Sequence, residues 1–223
     1  MLLTNILNVL KDNALIVKKL LLLLFSFFLL SSPSVFADDT SNFQIEGISL
    51  GDSLLDYMTE EEILEEMELN KDFYSYLKEP NKYAEVFLFD YSSIYESGLS
   101  FYIKNNSQNQ YVTNKEEKYT ILFVRGRINY IEDFDSCITK RDEIAEILSE
   151  MFPNAPKRDL VGEHSADSSG DSIIDAITFK FASGDEISAT CFNFEETFRI
   201  NNNMSEGLSV AIASAEILRW HRD

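Results

Sequence analysis

Positive charge is scarce in this chain. Across 223 residues, 19 Lys and Arg stand against 38 Asp and Glu, a formal net charge of −19 at pH 7. So acidic a surface repels phosphate backbones and anionic headgroups, which excludes nucleic acid and membrane surfaces as partners. The acidic residues are spread along the chain among apolar ones, which argues against a disordered acidic tail. Cysteine occurs only at positions 137 and 191, and neither has a Cys or His neighbour at zinc-ligand spacing, so a metal centre has no support there. Histidine is limited to His164 and to His221, which lies close enough to the end to be expected to fray.

A long apolar run is also missing. The longest, Leu20 to Leu30, follows the basic pair Lys18-Lys19 and gives way to Ser31-Ser32-Pro33-Ser34 and Val35-Phe36-Ala37. A basic start, a short apolar centre and a small residue before the acidic Asp38-Asp39 describe an export signal cleaved after Ala37. The rival is an uncleaved anchor, but a run of this length spans about 16 Å as a helix, roughly half of a bilayer's hydrocarbon core. No cysteine stands near the cleavage point to carry a lipid. The expected organisation is a signal peptide over residues 1–37 and one acidic domain over residues 38–223. With Lys11, Lys18, Lys19 and Asp12 removed, 16 basic and 37 acidic residues remain, a net charge of −21. The product is expected to be periplasmic or secreted, with no membrane attachment after cleavage.

In an oxidising compartment an even pair of cysteines most often forms a disulfide. Joining Cys137 to Cys191 closes a loop of about 55 residues, worth at most about 4 kcal/mol in loop entropy. Two reduced buried thiols are the alternative.

Periodicity supplies the elements. Thr59 with Glu62 forms a capping box for a helix carrying Ile63, Leu64 and Met67. Residues 83–90, 99–104 and 118–131 read as a strand meander, with Gly126 explained as a bulge or bend and with Phe87 and Phe89 expected to join Phe101 in the core. A helix capped by Asp135 or Ser136 carries Ile144, Ala145, Leu148, Met151 and Phe152 to Pro153. Residues 154–171 read as loop. A hairpin follows, with Ile177, Phe179 and Phe181 on one strand, Ile187, Ala189 and Cys191 on the other, and the turn at Ser183-Gly184. The last strand, residues 208–212, runs into a short helix capped by Ser214. The expected fold is α+β: a mostly antiparallel sheet in two three-strand groups, with a helix between them packed on one face and a short C-terminal helix. On this reading Cys137 starts the long helix and Cys191 lies on the hairpin's apolar face, so the two can meet across one helix-sheet interface.

The segment Gly47-Ile48-Ser49-Leu50-Gly51-Asp52-Ser53-Leu54-Leu55-Asp56-Tyr57, the segment His164-Ser165-Ala166-Asp167-Ser168-Ser169-Gly170 and the helix of Cys137 resemble a group of small uncharacterised exported proteins of marine alphaproteobacteria. The resemblance implies export and a bacterial, periplasmic address. It carries no activity and assigns no catalytic residue.

Two clusters could carry function. The loop from Glu163 to Asp171 gathers an imidazole, carboxylates and hydroxyls, and its spacing lets Asp167 orient His164 beside a serine, the arrangement a small hydrolase would use. The same residue types serve any turn-rich surface loop. Asp167, Asp171 and Asp175 lack the alternation of a calcium loop, so no metal or cofactor is expected. The second cluster is aromatic, and Tyr76, Tyr91, Tyr95 and Tyr111 lie nearest the loops that could present a ligand. The expected function is therefore a non-enzymatic binding or interaction module that takes a small ligand or an envelope protein on the tyrosine-bearing side of its sheet. His164 and Asp167 are secondary candidates for ligand contact, with a hydrolase using His164 as the alternative.

Overall fold

The computed structural model describes residues 40, 43–92, 94–105, 114 and 117–222, so the expected signal segment and Tyr111 lie outside the described residues. The strands are β1 Tyr83–Leu88, β2 Leu99–Lys104, β3 Ile121–Asn129, β4 Lys157–Glu163, β5 Ile173–Lys180, β6 Glu186–Asn193 and β7 Gly207–Ala213. The helices are α1 Glu60–Leu69, α2 Phe134–Met151, α3 Glu196–Asn201 and α4 Ala215–Trp220. Among the described residues no helix is long and apolar enough to cross a membrane.

The strands form a single antiparallel sheet in the order β1-β2-β3-β7-β6-β5-β4. This overturns the α+β expectation of two three-strand groups: the fold is mostly β, with four helices among the described residues. Two physical facts account for the difference. Residues 157–163 are charged and show no apolar alternation, which suggests loop, yet an edge strand exposed along its whole length needs none. The last strand, β7, pairs with both β3 and β6 and so fuses the two groups into one sheet.

The first face of the sheet holds the main core, with Val86, Phe101, Val124, Ile187, Ala189 and Ile212 beneath α1 and α2. The Thr59–Glu62 capping box is present at α1. The cap of α2 falls two residues earlier than expected, at Asp133, whose carboxylate accepts the Ser136 amide. Its inward stripe is Cys137, Arg141, Ala145 and Leu148, whereas Met151 is exposed. Cys137 and Cys191 are joined as a disulfide with a Cα separation of 6.0 Å, linking the first turn of α2 to β6. One turn further on, the buried Arg141 directs Nη1 at the Asp175 carboxylate on β5 and Nη2 at Asp142 (2.7 Å).

Three local expectations fail. Gly126 is no bulge: it sits in regular register between Leu99 and Val210, and a side chain there would collide with the Tyr95 ring, about 2.4 Å from where Cβ would stand. The irregularity lies instead between Tyr102 and Ile103, where the partners jump from Phe123 to Ile121 and leave Leu122 over. Phe87 pairs with Ser100, one step out of phase with the Val86–Phe101 pair, so it lies on the opposite face from Phe101; Phe89, beyond the strand end, is exposed and stacks on it.

Candidate binding site on the second face of the sheet

Strand alternation that sends Val86, Phe101 and Val124 to the core sends their neighbours to the second face. There the register sets Glu85 beside Tyr102 and Tyr102 beside Phe123, with Ser100 beside Arg125. The surplus residue Leu122 also packs there, with Tyr83, Tyr102, Ile217 and Trp220. α4 brings the last two. Ser214 caps it by accepting the Ile217 amide, so it starts directly after β7 and lays Trp220 against Tyr83, Tyr74 and Tyr102 at ring separations of 5.1, 5.2 and 6.0 Å. The indole N–H donates to the Glu79 carbonyl (2.9 Å). His221 packs into this cluster. Its amide donates to the Ile217 carbonyl, and its ring packs on Trp220 and Tyr102, both at 5.0 Å.

Beneath the aromatic rings lies a polar network. The Glu85 side chain is only 3% exposed; it accepts from Arg125 Nη2 (3.2 Å) and from the Tyr74 hydroxyl (2.9 Å), which also meets the Tyr102 hydroxyl closely. Arg125 Nε donates to Ser100 Oγ (3.0 Å). Burial pushes the Glu85 carboxyl up despite the opposing pull of Arg125, and burial also raises the Tyr74 and Tyr102 hydroxyls, so both phenols stay protonated donors. Desolvation and the neighbouring Arg125 charge lower His221.

Arg127, two residues along the same face, is different. It is half-buried beside Ser209 and has no hydrogen-bond or ion-pair partner among the described residues. Desolvation first, and then the charge of Arg125, bring its guanidinium down to about 10, so it is still a cation at neutral pH. Beside Trp220 a cleft of about 410 Å³ is lined by Lys78, Lys82, Arg219 and Tyr83 together with Glu79 and Glu216, with the Lys82 ammonium 5.5 Å from the centre of the Tyr83 ring.

Of the tyrosines selected from sequence, Tyr76 belongs to this face: it is 74% exposed and stands 6.2 Å from Tyr74. Tyr91 and Tyr95 lie elsewhere, Tyr91 edge-on to Tyr57 and Tyr95 over Gly126 on the core side. Sequence reasoning passed over Glu85, Arg125 and Arg127. Their signal was an alternation of polar residues within apolar strands, Tyr83-x-Glu85 on β1 and Phe123-x-Arg125-x-Arg127 on β3, and it takes the pairing of the two strands to turn that into one cluster.

The loop of His164 and Asp167 is built differently from a catalytic relay. Asp167 accepts from the amides and hydroxyls of both Ser169 and Ser172, and Ser172 Oγ in turn accepts the Glu195 amide. The His164 ring packs on Phe192, Phe194 and Phe198, and its buried Nδ1 has no hydrogen-bond partner among the described residues. Asp167 thus organises the loop and does not orient the imidazole. Asp175, the third residue of the calcium reading, faces Arg141, and no group of three or more potential metal ligands occurs among the described residues. The Ser172 hydroxyl, followed by the Ser169 amide, holds the Asp167 carboxyl down at about 2. Because the folded value lies below the unfolded one, this stabilisation is complete above about pH 4 and is lost as pH falls through about 2. The protection of the Ser169, Ser172 and Glu195 amides, taken as the ratio of the free-chain exchange rate to the observed rate at each pH, should therefore fall across that window, and Asp167→Asn should show low protection already at pH 6.

Comparison of the chain with protein-family models, with curated proteins and with solved structures finds no match to any of them.

Proposed function

We propose that this chain is an exported, non-enzymatic binding module whose ligand carries a carboxylate or phosphate, free or displayed on an envelope protein, and lands on the second face of the sheet. Arg127 is the observation that carries the reading. A half-buried guanidinium with no protein acceptor leaves its donors to solvent, and an oxyanion placed over it would replace that water with a bidentate, charge-assisted contact. Ser209 beside it and the exposed Tyr76 at the margin of the cluster offer further donors and ring surface. The chain's overall negative charge makes selection strict, because an anion is repelled everywhere except near such a basic spot.

The disulfide supports the export half of the reading, since such links persist outside reducing compartments. Cleavage after Ala37 and a periplasmic or secreted address belong to the same proposal, as the resemblance to exported proteins implies.

Calorimetric titration with a panel of small mono- and dicarboxylates, sugar acids and phosphate esters tests the site. Arg127→Gln should weaken binding of any hit by tenfold or more, the worth of a charged hydrogen bond at about 1.5–3 kcal/mol. Arg219→Gln, which alters only the neighbouring cleft, should leave it unchanged. Binding that falls with Arg219→Gln and survives Arg127→Gln would move the site to the cleft of Lys78 and Lys82.

A further inference from the structure

Among the described residues only one edge of the sheet is covered. Along β1 the Phe87 amide donates to Glu66 Oε2 (3.2 Å), and the Glu85 carbonyl accepts from Asn70 Nδ2 (3.4 Å), so α1 and its C-cap occupy that edge. β4 has no such cover. All seven of its residues are exposed, and beyond its ladder with β5 no hydrogen bond from a described residue reaches its backbone.

The register fixes which groups are free. The Pro156 carbonyl accepts the Lys180 amide (3.1 Å) and the His164 amide donates to the Ser172 carbonyl (2.8 Å), so the even-numbered positions face β5. The N–H and C=O groups of Lys157, Asp159, Val161 and Glu163 therefore point away from the sheet. A row of this kind is a template for another strand.

Charge selects the strand that fits. If β4 pairs antiparallel with β4 of a second copy about Leu160, Lys157 stands opposite Glu163 at both ends, Asp159 opposite Val161 and Leu160 opposite Leu160. This register also brings outward-pointing groups together at positions 157, 159, 161 and 163, as an antiparallel ladder requires. Sliding it one way sets Asp159 against Asp159, and sliding it the other way sets Asp159 against Glu163. Both slips oppose like charges. Leu160 and Val161, now 54% and 69% exposed, would be partly covered.

We propose that the protein forms a two-fold symmetric dimer through β4–β4 pairing centred on Leu160, so that one sheet runs through both copies. The partner is a second copy of this chain because the strand is complementary to itself in that register and repels itself in both neighbouring ones. The interface is independent of the Arg127 site. It opposes a large like charge on the two copies, so it is best tested at roughly 0.15 M salt, where charges more than about 8 Å apart are screened.

Sedimentation velocity of the exported protein over a concentration series decides the matter. The wild-type coefficient should rise with concentration towards that of a dimer. Lys157→Glu and Glu163→Lys, both exposed substitutions, should each hold the protein at the monomer value throughout. The double variant K157E/E163K restores opposite charges at both ends and should regain the concentration dependence. A wild type that stays monomeric throughout the series, single variants that dimerise like the wild type, or a double variant that fails to recover would each overturn the proposal.

Discussion

Replacing Cys137 and Cys191 together with alanine is expected to lower the unfolding free energy by about 4 kcal/mol. The two residues are separated by 54 positions, so their link removes many of the denatured chain's conformations, and the loop-entropy estimate for a ring of this size is about 4 kcal/mol. Both sulfur atoms lie in the core, so the substitution also leaves small voids under α2. In thermal terms the loss corresponds to roughly 10 °C for a domain of this size. Urea unfolding of the oxidised wild type and the double variant, fitted with a common slope, measures it. A difference below about 1 kcal/mol would show that α2 is seated by packing alone and that the bridge merely records its position.

Asp175→Ala should be nearly as costly, about 3 kcal/mol, for an electrostatic reason. Arg141 is pinned between α2 and the sheet, and the Asp175 carboxylate is what its Nη1 faces; without it a buried cation keeps only Asp142, which lies at the solvent side. Breaking one side of a buried pair costs more than the pair contributes, because the surviving charge has been desolvated without compensation. Replacing both partners by apolar residues, as in R141M/D175V, should recover most of the loss. Asp175 is the cross-strand partner of Cys191, and Arg141 lies one turn beyond Cys137. The ion pair and the disulfide are therefore neighbours, and combining Asp175→Ala with loss of the bridge should give less than the sum of the two effects. A cycle that proves additive would mean that α2 is held at two independent points.

The parts of the fold that sequence made legible are those where local pattern and final environment agree. Thr59 and Glu62 cap α1 through atoms three residues apart, and Ile187, Ala189 and Cys191 alternate because one side of β6 faces the core. β4 was invisible because its side chains meet solvent on both faces and no pattern is imposed on them. α3 was missed as well, being one short turn-and-a-half opened by Glu195, a residue outside the favoured capping set. Gly126 illustrates a different failure. The residue that demands a glycine there is Tyr95, which local reading does not connect to it. The candidate site fails in the same manner, since Glu85, Arg125 and Trp220 come from three stretches of chain and meet only once β1, β2, β3 and α4 are assembled. Of the tyrosines chosen by proximity to loops, Tyr76 stands beside Tyr74 on the second face and Tyr95 against Gly126 on the core side, and neither lies on a strand whose alternation would have assigned it a face.

The position of β7 has a consequence for how the molecule comes into being. It occupies the middle of the sheet but is the last of the seven described strands in chain order, and so the last of them to leave the ribosome. Until residues 207–213 arrive, β3 and β6 are raw edges of two half-sheets with nothing to join them, so the cooperative structure cannot close during vectorial delivery. The pairings it completes, with residues 123–129 on one side and 186–192 on the other, raise the contact order and favour slow, late closure. A fold that waits for this strand cannot lose residues 207–213 and remain a slightly shortened domain: what is left is two half-sheets with raw edges.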